Sequence, residues 1–188
     1  LLDEGRSDKE ILIECITFCL AGMTTTRELM IMAAWHMLEN DDLRLRFLNG
    51  DDAEKTAILR EILRLEPMAS TIFRRTTDAV SVVTPEPIAA GTNLTLDIRA
   101  ANIDEAHVGA CPLTLDPDRA RRLKVNDIYL SFGAGEHFCP GRNVAIAEAR
   151  VFLDRLLRVS SIRLLRTPDI HFLPPLLGTY ELSNCIIA

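Results

Sequence analysis

Two uncharged, mostly apolar stretches, residues 15–26 and 29–37, are parted only by Arg27 and Glu28 and sit inside a proline-free run of strong helix formers from residue 8 to about 39. At its head, Ser7-x-x-Glu10 is a capping-box pattern, in which a hydroxyl and a carboxylate satisfy each other's free backbone amides. One helix over residues 8–39 is predicted, and at ~1.5 Å per residue it runs roughly 45 Å, enough to cross a domain. Its midpoint, Ala21-Gly22-Met23-Thr24-Thr25-Thr26, is poor helix material, because glycine and β-branched residues both disfavour a helix interior. A second helix is predicted over 51–66, with Asp51 as its cap and Pro67 as its stop. Leu94, Leu96 and Ile98 then alternate with polar residues, the period of a half-buried strand, within a small β region at 72–100 where residues 81–84 are the expected partner. Residues 101–131 carry proline, aspartate and glycine punctuation and read as a long ordered, meander-like loop. After a glycine-rich turn at 132–141, Ala145, Ala149, Phe152, Leu156 and Val159 recur at spacings of four and three, which predicts a helix over 140–159 with Pro140 in its first turn. Prolines 168, 174 and 175 and Gly178 divide residues 160–188 into short strands and loops. The expected fold class is mainly α with small β-sheets, in a single domain over 1–188.

The 188 residues hold 21 Lys and Arg against 27 Asp and Glu, a net charge of −6 that argues against a nucleic-acid surface. Neither apolar stretch approaches the roughly 20 residues of a membrane span. Leu1-Leu2-Asp3-Glu4 shows no initiator Met, signal core or cleavage pattern and reads as a cut rather than a targeted N-terminus. Cys15, Cys19, Cys111, Cys139 and Cys185 make an odd set with no Cys-x-x-Cys pair, which disfavours a disulfide framework or zinc knuckle and suggests a reducing, cytoplasmic setting. Arg119, Arg121, Arg122 and Lys124 read as a solvated basic loop face, with an acidic electron-transfer partner as the alternative.

Cys139 stands apart from the other four. In Phe132-Gly133-Ala134-Gly135-Glu136-His137-Phe138-Cys139-Pro140-Gly141, a thiol lies at a predicted helix start inside a glycine-rich turn. Open amides at a helix start stabilise negative charge, and the thiolate is the form of cysteine that binds metals. Gly135 and Gly141 permit close backbone approach, Phe132 can shield the sulfur, and His137 can donate to an anion. From these residues alone a nucleophile, a buried thiol and a metal ligand all remain open. Likewise, Glu61-x-x-Arg64 is by spacing only an i, i+3 ion pair, opposite Ile58, Ile62 and Leu65 on the polar side of its helix.

The pattern Phe-x-x-Gly-x-x-x-Cys-x-Gly, with Val144-Ala145 and Glu148-Ala149 after it, resembles the haem-binding signature of the cytochrome P-450 family, of the bacterial soluble type. Glu61-x-x-Arg64 resembles that family's Glu-x-x-Arg helix, and Asp116-Pro117-Asp118-Arg119 the segment whose arginine completes a buried structural triad. Ala21-Gly22-x-x-Thr25 resembles its oxygen-binding groove. The resemblance spans nearly the whole chain but only the C-terminal half of the family's fold. It implies haem b (iron protoporphyrin IX) held by Cys139, with Ala21, Gly22, Arg74, Phe132, Gly135, His137 and Gly141 contacting the cofactor and Arg74 and His137 anchoring propionates. It implies a catalytic Thr25, bonded back to the Ala21 carbonyl, beside Thr24, which stands where the family usually has an acid. Other departures are Ile103 after Ala100-Ala101-Asn102, and Ala120 after Arg119. Ser70, Ile72, Phe73, Leu176, Leu177 and Thr179 correspond to positions that line the substrate pocket. The function implied is a monooxygenase that uses dioxygen, a hydrophobic small-molecule substrate and electrons from a ferredoxin or other reductase, completed by the N-terminal half of the fold. A peroxide-using haem enzyme and a degenerate haem-binding or interaction module are the alternatives.

Overall fold

The computed structural model describes residues 5–81, 86–173 and 178–188. Helix α1 spans Asp8–Glu39. Its N-terminus is closed by the reciprocal Ser7 and Glu10 bonds, with the Ser7 amide donating to Glu10 Oε2 at 2.9 Å and the Glu10 amide to Ser7 Oγ at 3.4 Å. Asn40 ends α1 and caps the next helix, accepting the Leu43 amide on Oδ1 at 3.0 Å. This second helix, α2 (Asp41–Asn49), had no counterpart among the sequence expectations. Helix α3 is Asp52–Leu65, capped by Asp51. The C-terminal part of α1 packs with α2, α3 and a last helix, α7 (Arg142–Leu157), around a core that includes Met37, Phe47, Ile58, Ile62 and Leu153.

The strand β2 (Asn93–Asp97) pairs antiparallel with β1 (Thr71–Arg75), register Thr71 opposite Asp97 through Arg75 opposite Asn93. Of the expected partner strand, residues 82–84 lie outside the described residues. Ile98 is not a strand residue: the Asp97 carboxylate accepts the Ala100 amide at 2.8 Å and starts the short helix α4 (Ile98–Asn102). Two further short helices, α5 (Glu105–Val108) and α6 (Arg119–Leu123), interrupt the loop that leads to the cysteine turn.

Helix α7 begins at Arg142, so Cys139 precedes its cap, Gly141, by two residues instead of abutting the helix. Its buried face is Ile146, Ala149, Leu153 and Leu157. The stripe read from sequence shares Ala149 with this face but is otherwise rotated from it: Phe152 is 46% exposed and Val159, beyond the helix, 56%. The tail forms β3 (Leu164–Arg166), β4 (Asp169–Phe172), β5 (Tyr180–Ser183) and β6 (Ile186–Ile187), with β3 paired to β6 and β4 to β5, both antiparallel. Residue 178 must be glycine: its φ is +55°, and a Cβ there would strike the Thr71 carbonyl oxygen. No helix among the described residues is long and apolar enough to cross a membrane.

Helices α3 and α7 are joined by a charged link. Lys55 Nζ donates to Asp154 Oδ1 at 2.6 Å, and Arg158 donates to both Asp154 oxygens at 3.1 Å. These bonds, Arg158's first, hold the Asp154 carboxyl down from 3.8 to about 2. A carboxyl lowered in the folded state contributes stability that is full above its unfolded value and lost as pH falls toward its folded one. Asp154→Asn is therefore expected to lower stability at pH 7 by about 1 kcal/mol. It should also flatten the decline between pH 4 and 2, as read by urea denaturation against pH.

Candidate functional site

Cys139 opens onto a cleft of about 1270 Å³. Its backbone amide donates to the Phe132 carbonyl at 2.9 Å, closing the turn that presents the thiol. Gly135 takes φ +65° at the head of a short 3-10 turn, Gly135–His137, with no atom near its Cβ direction, so backbone conformation and not crowding requires glycine. A Cβ on Gly141 would lie 4.0 Å from the Cys139 sulfur, which places the head of α7 beside the thiol. Phe132, His137, Cys139 and Gly141 all line the cleft.

The middle of α1 borders the same cleft. Ala21, Gly22 and Thr25 line it, and a Cβ on Gly22 would meet nothing within 4 Å, so the space beside this turn of helix is open. Thr25 Oγ1 donates to the Ala21 carbonyl at 2.8 Å within a helix that stays continuous. Such back-bonding occupies the hydroxyl proton and leaves its oxygen as an acceptor. Thr24 is exposed and does not line the cleft. The third side is α7, through Val144, Ala145, Glu148, Phe152 and Leu156. That explains the out-of-phase stripe: one apolar face of α7 enters the core and the other borders the cleft. The tail contributes Leu182, Asn184 and Cys185, and burial pushes the Cys185 thiol up.

The other residues singled out in the sequence divide unevenly. Ile72 lines the cleft. Arg74, two residues along β1 and so on the same strand face, is exposed and donates to its neighbour Phe73's carbonyl at 2.8 Å. Phe73 takes the opposite face and is 41% exposed. Ser70 donates to Gly178 O at 3.2 Å and lines a separate recess of about 240 Å³. Thr179 donates to Met68 O at 2.6 Å. Leu176 and Leu177 lie outside the described residues. Glu14, Thr17, Met30 and Met68 line the cleft without having been singled out, because a residue's access to a cleft depends on elements far away in sequence.

Behind the cysteine turn, Glu61, Arg64 and Arg119 are buried together, against the solvated pair and basic loop face that spacing suggested. Arg64 donates to Glu61 Oε2 at 2.9 Å and Oε1 at 2.7 Å, and Arg119 Nε donates to Glu61 Oε1 at 3.2 Å. Their remaining N–H groups go to main-chain carbonyls: Asn102, Pro112 and Thr114 for Arg64, Val108, Ala110, Cys111 and Thr114 for Arg119. Each guanidinium thereby uses its full fork of donors. The ring of Tyr129 lies 5.8 Å from the Arg64 guanidinium, and burial pushes its hydroxyl up to about 12. Asn102 carries the order onward, accepting the Leu130 amide at 3.0 Å and donating to Ser131 Oγ at 3.0 Å, next to Phe132. Of the rest of the basic cluster, Arg121 is ion-paired with Asp118 and Arg122 with Asp116.

Among the described residues no three His, Cys, Asp or Glu side chains converge as a metal site. Cys19 and Cys185 also line the cleft, but Cys139 is the thiol carried on the glycine-rich turn, and one sulfur donor in an apolar cleft fits a metal that brings its other ligands in a flat organic group.

A family model described as Cytochrome P450 matches residues 55–176. Among curated proteins, Cytochrome P450 107B1 of Saccharopolyspora erythraea is 32% identical over 168 residues, covering 87% of this chain and 39% of its own length. Steroid C26-monooxygenase of Mycolicibacterium smegmatis is 30% identical over 165 residues, covering 88% of this chain and 37% of its own length. The crystal structure of CYP164A2 from Mycobacterium smegmatis with econazole bound superposes with a TM-score of 0.80 at 30% identity, covering 97% of this chain and 43% of that one. The chain therefore spans about two fifths of the length of these relatives.

Proposed function

The chain belongs to the cytochrome P450 family, and on that premise we propose that it is the haem-binding part of a monooxygenase that inserts one oxygen atom of dioxygen into a hydrophobic organic substrate. The observation that carries the reading is that Cys139 lines one apolar cleft together with Gly22 and Thr25 of α1. Haem, as haem b, held there through the Cys139 thiolate would supply the oxygen-activating iron chemistry, with the sulfur tuning it by electron donation.

The chain's own residues have separable tasks. Cys139 would hold the haem iron through its thiolate, Phe132 would keep water from its sulfur, and Gly22 would leave open space in the cleft beside α1. Thr25, its proton engaged by Ala21, offers an oxygen that accepts a hydrogen bond from cleft water and so orders a path for protons. Thr24 replaces the usual carboxylate with a neutral hydroxyl, so proton delivery relies on water passing through that region instead of on a titrating acid. His137 and Arg74 are the propionate anchors, Arg74 by turning its long side chain from Phe73 O toward the cleft side of β1. Glu61, Arg64 and Arg119 hold the cysteine turn in place. The apolar cleft suits a hydrophobic substrate, and a ferredoxin or other reductase supplies electrons. The rest of the fold, N-terminal to this chain in the assembled enzyme, covers the apolar residues that α1 leaves exposed, among them Leu12, Ile16, Leu20 and Met23.

Thr24 also favours a second reading, a peroxide-using enzyme, since peroxide brings both electrons and both protons with its oxygens. In the full-length protein, the reduced, carbon monoxide-bound form is expected to show a strongly red-shifted Soret band, and a histidine-type band would reject the assignment of Cys139. Turnover with peroxide exceeding turnover with a reductase would select the second reading.

A further inference from the structure

The geometry points to Glu28 as a positioning residue that sets the shape of the apolar cleft by holding strand β5 against the middle of α1, an inference resting on the cleft being the haem and substrate site. Glu28 is only 1% exposed, although it sits in a helix whose preceding turns are open to solvent. Burying a carboxylate is costly unless its oxygens are bonded, and here both are. Oε2 accepts the main-chain amide of Leu182 at 2.8 Å across 154 residues of sequence. Oε1 accepts Arg27 Nε at 2.9 Å, and Arg27 also reaches Glu181 Oε1 at 3.1 Å. Among the described residues strand β5 pairs with β4 along one edge, and Glu28 takes the place of a strand neighbour on the other by accepting the Leu182 amide.

The consequence lies in what flanks the clamp. Thr25, Thr26 and Leu29 line the cleft from α1, while Leu182, Asn184 and Cys185 line it from the tail. The carboxylate between them fixes the separation of two walls of one cavity. Nothing in its bonding touches Cys139 or the turn that carries it, so loosening the clamp alters the shape available to a bulky ligand and leaves ligation of a small one at the iron intact.

Econazole, bulky and apolar, and imidazole, small, both ligate haem iron through an azole nitrogen and distinguish these effects by spectral titration of the full-length haem-loaded protein. Glu28→Ala is expected to weaken econazole about tenfold, the loss of one charge-assisted hydrogen bond, and imidazole less than about twofold. Glu28→Gln retains an oxygen for the Leu182 amide and should hold econazole within about threefold of wild type. If Glu28→Ala does not fold, Arg27→Gln at its half-exposed position carries the test, with about threefold on econazole and none on imidazole. Equal weakening of both azoles, or an unchanged econazole affinity, overturns the inference. A wild-type protein without the red-shifted carbon monoxide band overturns the underlying reading, and the inference with it.

Discussion

Exchanging Cys139 for serine is expected to abolish the red-shifted Soret band of the reduced, carbon monoxide-bound protein while leaving far-UV helicity largely intact. The reasoning is that the side chain and the backbone at this position do different things. The main chain closes the turn, through the Cys139 amide to Phe132 O and Arg142 to Cys139 O at 3.3 Å, and serine keeps both bonds. The sulfur is only partly buried and lies outside the hydrophobic core, so its replacement by an oxygen of similar reach costs about 1 kcal/mol or less. What the hydroxyl does not supply is a soft anionic donor to iron. A spectrum unchanged by the substitution would place the iron ligand elsewhere and remove the basis of the proposed function.

The chain's local signals and its long-range ones were unequally legible. Ser7 and Glu10 mark the start of α1, and Asp51 that of α3, because a cap is a bond between residues three apart. Helix α2 went unread although Leu43 and Phe47, both buried, have helical spacing; nine residues hold too few apolar positions for a period to stand out. The phase of α7 was misjudged because the helix has two apolar faces, one for the core and one for the cleft, and spacing alone does not say which is which. The strand through Leu94 and Leu96 was visible, but its end was set by Asp97 acting as a helix cap, and its partner by a register that no local pattern encodes. For the site, the cysteine turn was legible as a motif. The burial of Glu61, Arg64 and Arg119 was legible only through the family resemblance, since spacing alone gives an ordinary i, i+3 pair and the loop that wraps them has no period. The bond from Glu28 to Leu182 had no local signal, since a single acid in an apolar helix reads equally well as a solvated one.

Glu61→Ala is expected to destabilise the protein by about 3 to 5 kcal/mol, whereas Arg121→Ala, which breaks an ion pair at a side chain 82% exposed, should change stability by less than about 1 kcal/mol. Both are checked by urea denaturation of the full-length protein at neutral pH. The asymmetry follows from what each substitution leaves behind. Removing Glu61 strands two guanidinium ions at 0% and 1% exposure with no counter-ion, and buried charge without a partner is far costlier than the pair's own attraction is worth. It also frees the Asp116 amide, which donates to Glu61 Oε1 at 3.1 Å. The repelling arginines would seek water, and the carbonyls of residues 102–114 that they bind would be released with them. Asn102 would then lose its fixed place beside Leu130 and Ser131, so haem retention should fail at urea concentrations where the helical signal still persists. Loss of the haem signal and of helicity at the same urea concentration would mean that the triad stabilises the whole fold uniformly and does not act through the cysteine turn.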